Sequence, residues 1–238
     1  MSELQAAISS PHSLFPQRLF SVETVTSPMD ESLLHPCEYA LVRNAVAKRK
    51  GEFAAGRHCA RLALARLHIS ESAILQDANG CPLWPEGAVG SISHTKDCIV
   101  SVVGRSSQVA ALGVDVDNHL TPFPFDVLGY VCRPEELRWL QSMSAESMRV
   151  HAYALFSVKE TIYKCVYAAT GDQLGFADAL LNFDLRTGLF RAQLARAVGP
   201  EGRKYLVGRV GCNSAHVFSG MWWLHAEDAG DKSLALIS

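Results

Sequence analysis

The sequence has no apolar run long enough to cross a membrane and no marked excess of charge of either sign. Its 238 residues include 22 lysines and arginines against 24 aspartates and glutamates, which gives a formal net charge of −2. Nucleic-acid-binding domains are typically strongly basic, so this balance argues against nucleic acid as a partner. No apolar stretch approaches the roughly 20 residues that a membrane-spanning helix needs, which argues against a membrane protein.

Paired cysteine motifs and a leader-like N-terminus are also missing. The chain has 7 cysteines, an odd number, and no two of them have CxxC spacing. This pattern predicts reduced thiols in a cytoplasmic protein, rather than disulfides or a zinc site. Residues 1–15 show no basic segment followed by an apolar run, so no signal peptide is expected.

Hydrophobic periodicity and chain-breaking residues predict a mixed α/β (α+β) protein. The strongest helical patterns lie at about 47–67 and 147–169. The run Thr121–Pro124 breaks any regular element and predicts two lobes, 1–120 and 121–238, each with a long helix followed by short strands. Strands are expected at 18–25, 88–93, 98–103, 109–116, 181–185, 190–194, 205–210 and 216–222.

Two aspartates alternate with valines in the segment Gly113–Asp117. On a strand, Asp115 and Asp117 would point to one face, because successive side chains alternate. Two carboxylates on one face repel each other unless a cation lies between them, and oxygen ligands of this kind suit magnesium. The alternative is a solvated strand end, which is the commoner outcome for so short a motif.

A glutamate and a lysine share one face of the second predicted helix. Glu160 and Lys164 are four residues apart, in the segment Phe156–Lys164. One interpretation is an exposed helix pair that contributes only a few tenths of a kcal/mol. The other assigns Glu160 to a metal ion and Lys164 to a phosphate oxygen, an arrangement that suits a diphosphate site.

Further candidate phosphate ligands lie in the first half of the chain. Ser93 and His94 end a predicted strand, where a hydroxyl and an imidazole can bind a phosphate or a ribose. A structural histidine is an equally weighted alternative. Arg49, Arg57 and Arg61 share one face of the first long helix, and guanidinium groups suit phosphate oxygens. A solvated basic face is the usual alternative for such charge runs.

The order of these motifs resembles the surfactin- and enterobactin-synthetase type of 4'-phosphopantetheinyl transferases. The hallmark pair of that family is a G-(I/V)-D-x-(D/E) strand and a (F/W)-S-x-K-E-x-x-x-K helix, present here as Gly113–Asp117 and Phe156–Lys164. An R-x-x-E-F…G-R-H-C-A-R helix, a G-x-P-x-W-P loop at Gly80–Pro85 and an S-x-S-H strand end also match. The resemblance spans roughly residues 47–185.

The resemblance implies two similar lobes in a pseudo-twofold arrangement, each a long helix packed on a small sheet, with a coenzyme A site between them. It implies a magnesium ion at Asp115, Asp117 and Glu160. Glu135 matches a position proposed to help deprotonate the carrier serine. The coenzyme A positions that it implies are Arg49, Arg57, Gly80, Ser93, His94, Asp115, Lys159, Glu160 and Lys164.

Three residues depart from the family pattern. Cys81 stands in the G-x-P loop where several relatives have a lysine, which would remove one phosphate contact. Asp117 replaces the commoner glutamate, and its shorter side chain would ligate a metal through water. Phe156 replaces the tryptophan of some members, a change that should preserve packing.

The implied reaction moves the phosphopantetheine arm of coenzyme A onto a serine of an apo acyl or peptidyl carrier protein. The catalytic candidates are Glu160, Lys164 and Glu135, and the acceptor of the serine proton is open among Glu160, Glu135 and a metal-bound water. A monomer is expected. The alternatives are a non-catalytic binder of coenzyme A or nucleotides and a magnesium-dependent phosphohydrolase. The apolar run Pro122–Leu128 is expected either to dock the carrier or to be a buried crossover.

Overall fold

The computed structural model describes residues 8–70, 72–184 and 187–225. In the first lobe, a long helix packs against a three-stranded antiparallel sheet. Its strands lie side by side in the order Phe20–Val25, Ile99–Arg105, Ala88–His94. Alanines 54, 55, 60 and 63 of that helix are fully buried, because small side chains let a helix approach a sheet closely. The elements in chain order are β1 (Phe20–Val25), α1 (Pro36–Val42), α2 (Ala47–Arg66), β2 (Leu75–Gln76), β3 (Pro82–Leu83), β4 (Ala88–His94) and β5 (Ile99–Arg105).

In the second lobe, the other long helix packs against a five-stranded antiparallel sheet. Its strands lie side by side in the order Val109–Asn118, His216–Leu224, Arg203–Cys212, Leu189–Val198, Ala179–Asp184. Gly113 lies on the strand Val109–Asn118, at the point where the helix crosses it. A Cβ atom at this position would be 2.2 Å from the carbonyl oxygen of Thr161. Only glycine permits so close an approach. The elements are β6 (Val109–Asn118), α3 (Leu128–Val131), α4 (Pro134–Gln141), α5 (Ala145–Thr170), β7 (Ala179–Asp184), β8 (Leu189–Val198), β9 (Arg203–Cys212) and β10 (His216–Leu224).

Strand β6 lies against both lobes. Its backbone pairs with β10 along its whole length, so it belongs to the second sheet. It also contacts β4, where the hydroxyls of Ser91 and Ser93 accept hydrogen bonds from the backbone N–H groups of Val114 and Val116. The boundary predicted at residue 120 would leave β6 in the first lobe, whereas its backbone pairing puts it with the second.

The α/β class predicted from the sequence is confirmed. Both long helices lie within two residues of their predicted bounds, and each predicted strand overlaps an observed one. The last residue of the predicted strand 181–185 lies outside the described residues. Helix α4 was not predicted, because its eight residues are too few to show a clear period. No helix in the described ranges is long and apolar enough to cross a membrane. The pseudo-twofold relation stays a prediction.

Candidate active site

A cleft of about 540 Å³ lies between the two lobes. Helix α2 and strand β4 form one wall, and β6 and α5 form the other. The predicted site residues that line it are Arg49, Arg57, Gly80, Ser93, His94, Asp115, Asp117, Glu160 and Lys164. Residues from four separate elements therefore meet in one cavity, as the motif order led us to expect.

Asp115 is the most buried carboxylate of the cleft, with 5% of its surface exposed. Its Oδ1 atom lies 2.5 Å from the Lys164 ammonium and accepts a hydrogen bond of 2.7 Å from the Ser93 hydroxyl. Lys164 also donates to the Ser93 hydroxyl and to the Val114 carbonyl, each at 3.3 Å. The lysine thus connects α5 to β6 and β4 across the cleft.

Asp117 and Glu160, the cleft carboxylates nearest to Asp115 in the sequence motifs, lie in an environment that disfavours their charged forms. Burial raises the pKa of Asp117 to about 7, and the charges of Asp115 and Glu160 add to this shift. The Oδ2 atom of Asp117 is buried without a hydrogen-bond partner. Burial also raises the pKa of Glu160, with a further contribution from Asp115. A divalent cation would relieve this repulsion, because it favours the charged form of each carboxylate.

The donor set fits magnesium in its chemistry, since hard cations prefer carboxylate oxygens. Its side chains are not gathered around one point, however, and no group of three His, Cys, Asp or Glu residues in the described part of the chain is arranged as a metal site. The ammonium of Lys164 lies against Asp115 and serves as its counter-charge. Asp115, Asp117 and Glu160 would therefore have to adjust their side chains to hold an ion together.

The first-lobe wall is cationic. Arg49 Nη1 lies 3.0 Å from His94 Nε2, and Glu52 lies 3.5 Å from the same nitrogen. Burial lowers the pKa of His94, and the positive charges of Arg49 and Lys164 lower it further. A neutral imidazole can accept the Arg49 hydrogen bond, which leaves the rest of that guanidinium to face the cleft.

Arg57 is the second cation of this wall and is only 3% exposed. Its Nε donates to the Ile74 carbonyl at 2.7 Å, and its guanidinium stacks 4.2 Å from the centre of the Phe53 ring. Burial lowers its pKa to about 10. Its Nη2 atom is buried with no partner. A buried guanidinium with a free donor at the edge of a cleft is suited to an anionic ligand.

Comparison with known proteins agrees with this arrangement. Residues 37–104 match the 4'-phosphopantetheinyl transferase N-terminal domain, and residues 111–204 match the 4'-phosphopantetheinyl transferase superfamily. The 4'-phosphopantetheinyl transferase Npt of Nocardia iowensis is 35% identical over 175 residues, which cover 74% of this chain and 77% of Npt. The chain belongs to the 4'-phosphopantetheinyl transferase superfamily.

Two further superfamily members are similar over a shorter part of their length. The 4'-phosphopantetheinyl transferase Svp of Streptomyces mobaraensis is 42% identical over 164 residues, 68% of this chain and 66% of Svp. Enterobactin synthase component D of Salmonella austin is 32% identical over 155 residues, 65% of this chain and 64% of that protein. The chain thus spans slightly less than two thirds of these two relatives. The two family matches are separated by residues 105–110, a gap that includes the first two residues of β6.

Lys159 lies outside the cleft, although the resemblance to this superfamily implied a position near the diphosphate. It is 3% exposed, and its ammonium donates to Glu136 at 2.7 Å and to the backbone carbonyls of Val131 and Phe176. Adjacent helix residues point about 100° apart, so Glu160 faces the cleft while Lys159 faces the core. In this geometry Lys159 stabilises the fold.

Two other candidates are also absent from the cleft lining. Glu135 is exposed on the first turn of α4, and its neighbour Glu136 is the residue that faces inward. Arg61 shares a helix face with Arg57 but forms a buried ion pair with Glu38. For Arg61 the structural interpretation fits the geometry better than a role in ligand binding, and the role of Glu135 stays a prediction.

Several residues that line the cleft were missed by the motif analysis. Tyr163 and Tyr167 follow Glu160 and Lys164 by three residues each, so they continue the same face of α5. Gln76 is the last residue of β2, and Asn79 lies in the turn between β2 and β3. The tyrosines could have been found by extending the helical face, whereas no motif in the sequence marked Gln76 or Asn79.

Proposed function

We propose that this superfamily member transfers the 4'-phosphopantetheine group of coenzyme A to a serine of an apo acyl or peptidyl carrier protein, with magnesium as cofactor. The observation that carries the proposal is the cleft itself. It combines a cationic wall containing Arg49 and Arg57 with three carboxylates and Lys164. Such a combination suits a diphosphate bound together with a divalent cation.

The cationic wall supports binding of the adenosine end of coenzyme A. Arg57 has a free buried donor, and Arg49 is held by His94 at the same wall. Lys164 is the cation nearest to the carboxylates and would contact the diphosphate.

A second cavity of about 270 Å³ supports a location for the pantetheine arm. It shares Glu160 and Tyr163 with the cleft. The rest of its lining is mostly apolar and includes Ile162, Leu174 and Phe176, together with Lys159. An extended arm with apolar stretches could enter this cavity while the diphosphate stays between Lys164 and the carboxylates.

In the transfer step, the carrier serine oxygen would form a bond to the β-phosphorus. The bond from that phosphorus to the bridging oxygen would break, with adenosine 3',5'-bisphosphate as the leaving group. Lys164 would stabilise the charge that develops on the bridging oxygen. Magnesium, held by Asp115, Asp117 and Glu160, would supply further neutralisation of the diphosphate charge.

The serine proton would pass to the carboxylate of Glu160. This group lines the cleft together with Lys164 and the two aspartates that would hold the metal. Glu135 is a weaker candidate because it lies on the exposed side of α4. The geometry therefore favours one of the three acceptors that the sequence left open.

An apolar groove supports a docking surface for the carrier. It is lined by Leu120, Phe125 and Met148 among others, together with Arg149, whose Nε is buried without a partner. Phe125 is 46% exposed. Phe123 is buried and packs edge-on against Tyr153 at 4.9 Å, so for this residue the geometry supports the buried alternative. A carrier helix with apolar and acidic side chains would suit this groove.

The test of the reaction is product analysis. The protein is incubated with coenzyme A, magnesium and a panel of apo-carriers, and the carriers are then weighed by mass spectrometry. We expect one of them to gain the mass of the arm on its serine, with release of adenosine 3',5'-bisphosphate. Release of inorganic phosphate instead would favour a phosphohydrolase. Binding of coenzyme A without any product would favour a non-catalytic binder.

The docking surface is tested with a pair of substitutions at residues that do not line the cleft. Phe125→Ser should raise the KM for the carrier and leave coenzyme A binding unchanged, because it removes exposed apolar surface only. Phe123→Ser should instead lower the free energy of unfolding, since it removes a buried ring. A carrier KM that is unchanged in Phe125→Ser would rule out this groove as the docking surface.

A further inference from the structure

The hydroxyl of Tyr167 connects the two walls of the cleft. Tyr167 lies near the end of α5, in the second lobe. Its hydroxyl donates a hydrogen bond of 2.8 Å to Asp77 Oδ2 and accepts one of 2.6 Å from Asn79 Nδ2. Both partners belong to the turn between β2 and β3 in the first lobe. In the part of the chain that the structure describes, these are the hydrogen bonds that join this turn to α5.

The turn has a fixed internal shape. Asp77 Oδ1 accepts hydrogen bonds from the backbone N–H groups of Asn79 and Cys81, at 2.8 and 2.9 Å. Gly80 has a φ of +82°, in the left-handed region that favours glycine. Gln76 closes the turn by donating to the Gly80 carbonyl at 3.0 Å. Tyr167 therefore acts on a preformed unit and sets its position relative to the second lobe.

This turn forms part of the cleft wall beside Arg57. Gln76, Asn79 and Gly80 line the cleft, as does Tyr167. Arg57 holds the Ile74 carbonyl, which lies immediately before β2, and its unpartnered Nη2 is at the same end of the cleft. The segment 76–82 contains no lysine or arginine, so it can contribute shape to a binding site but no positive charge.

We propose that Tyr167 is a positioning residue for coenzyme A, and this rests on the function proposed above. Its hydroxyl holds the 77–81 turn against the nucleotide end of the ligand, next to the anion-binding donor of Arg57. The hydroxyl takes no part in bond making or breaking. It sets how tightly the nucleotide end is held and leaves the transfer step as it is.

The first test replaces only the hydroxyl, with Tyr167→Phe. We expect the Kd for coenzyme A, measured by calorimetry, to rise about tenfold, the scale of losing one hydrogen bond to a charged group. The Kd for adenosine 3',5'-bisphosphate, which lacks the arm, should rise by the same factor. The turnover number and the KM for the carrier should not change, a split that a merely structural role would not produce.

The matched control is Tyr205→Phe, the same substitution at an exposed tyrosine of β9. It should leave both Kd values unchanged. Unchanged Kd values in Tyr167→Phe would overturn the proposal. So would a rise in the Kd for coenzyme A that is absent for adenosine 3',5'-bisphosphate, because the effect would then lie at the arm.

A double-mutant cycle distinguishes the connection between Tyr167 and the turn from a direct contact of either side chain with the ligand. Asn79→Ala removes a side chain that is bonded to Tyr167, while the backbone bonds of the turn stay in place. If both residues act through one connection, Tyr167→Phe combined with Asn79→Ala should weaken binding no more than the stronger single substitution. Additive losses would mean that each side chain contacts the ligand independently, against the proposal.

Hydrogen exchange of the ligand-free protein tests the connection between Tyr167 and the turn, and the result does not depend on which ligand the protein binds. We expect amides of residues 77–81 to exchange faster in Tyr167→Phe than in the parent or in Tyr205→Phe, because the turn loses its connection to α5. Equal exchange rates in all three proteins would show that the Tyr167 hydroxyl does not fix the turn, against the proposal. If the parent binds no coenzyme A, the proposed function fails, and the exchange experiment still decides whether Tyr167 fixes the turn.

Discussion

In the first lobe, a buried glutamate at the start of a short helix anchors the long helix that follows. Glu38 of α1 accepts hydrogen bonds from the backbone N–H groups of His35 and Ile74. Its carboxylate also pairs with Arg61 of α2, 23 residues further along, at 3.1 Å. One carboxylate thus joins the short helix, the long helix and the start of the β2 strand.

The second lobe repeats this arrangement. Glu136 of α4 accepts hydrogen bonds from the backbone N–H groups of Arg133 and Leu181, and pairs at 2.7 Å with Lys159 of α5, again 23 residues further along. In both lobes a proline occupies the first turn of the short helix. The matching contacts indicate that these two glutamate–cation pairs hold the framework of each lobe.

The lobes differ five residues after each of these cations. Arg66 pairs with Glu23 of β1, and Lys164 pairs with Asp115 of β6. The Arg66 side chain is 72% exposed, whereas that of Lys164 is 27% exposed and faces the cleft. The residue after Arg61 is the exposed Leu62, whereas the residue after Lys159 is Glu160, which lines the cleft. A common framework therefore supports an ion pair at the surface in one lobe and a carboxylate cluster in the other.

The largest effect should come from breaking either glutamate–cation pair. Lys159→Met and Arg61→Met each leave a buried glutamate without its partner, which typically costs about 3 to 5 kcal/mol of unfolding free energy. Urea denaturation would measure the loss. Lys48→Met, at an exposed lysine, is the control and should have little effect.

Lys159→Met also tests the position of this lysine. Because Lys159 lies outside the cleft, the folded fraction of the variant should bind adenosine 3',5'-bisphosphate, which lacks the arm, with unchanged Kd. A variant that is as stable as the parent but has lost coenzyme A affinity would instead support a contact with the diphosphate.

The next effect concerns the carboxylate cluster that only the second lobe has. Asp115→Asn and Glu160→Gln should each lower turnover by about a hundredfold or more, the scale of losing a charge-stabilising group. Asp117→Asn should cost less, because the short side chain would act through water. The two severe substitutions should be non-additive, since they disable one unit.

The measurement is carrier modification across a magnesium titration. Extra magnesium should partly restore Asp117→Asn but not Asp115→Asn. Glu23→Gln, at the corresponding ion pair of the first lobe, is the matched control and should leave turnover unchanged. Near-normal activity of Glu160→Gln at ordinary magnesium would mean that Glu160 and Lys164 form only a helix pair.

A smaller effect is expected from the cationic wall. Arg57→Ala and His94→Ala should raise the KM for coenzyme A by about tenfold and lower turnover less, because both residues bind the ground state. Arg66→Ala, in the surface ion pair, should change neither quantity. Unchanged coenzyme A affinity in both cleft variants by calorimetry would remove these residues from the binding site.

The sequence predicted those features of the site that depend on local periodicity. Glu160 and Lys164 share a helix face, and Asp115 and Asp117 share a strand face, so both pairs were expected to point in one direction. The long helices and most strands were predicted for the same reason. Lys159 was assigned by resemblance alone, and its actual partner, Glu136, lies 23 residues away on an element that was not predicted.

Features that depend on tertiary contacts could not be predicted in this way. Phe123 and Phe125 are both aromatic and two residues apart, yet one packs against Tyr153 and the other is exposed. Which of the two rings is buried depends on the position of α5, the helix that carries Tyr153. The connection from Tyr167 to Asp77 spans 90 residues and leaves no periodic pattern.

The last expected effect is on stability, not on activity, and concerns Asp117, which has no counterpart in the first lobe. Burial raises the pKa of Asp117 to about 7 in the folded protein, above the value near 3.9 expected for an unfolded chain. The folded state therefore holds this proton more tightly, so stability falls as the pH rises from about 4 and levels off above about 7. Asp117→Asn removes the titration.

Between pH 5 and pH 8, without magnesium, the Tm of the parent should fall by several degrees relative to that of Asp117→Asn. Asp126→Asn, at an exposed aspartate, controls for the loss of one acidic group and should follow the parent. Magnesium at pH 8 should raise the Tm of the parent more than that of Asp117→Asn, because a bound cation stabilises the charged carboxylate. Parallel Tm curves for the parent and Asp117→Asn would mean that Asp117 is not strained by Asp115 and Glu160, and the cluster would then lose the repulsion that makes it suited to a cation.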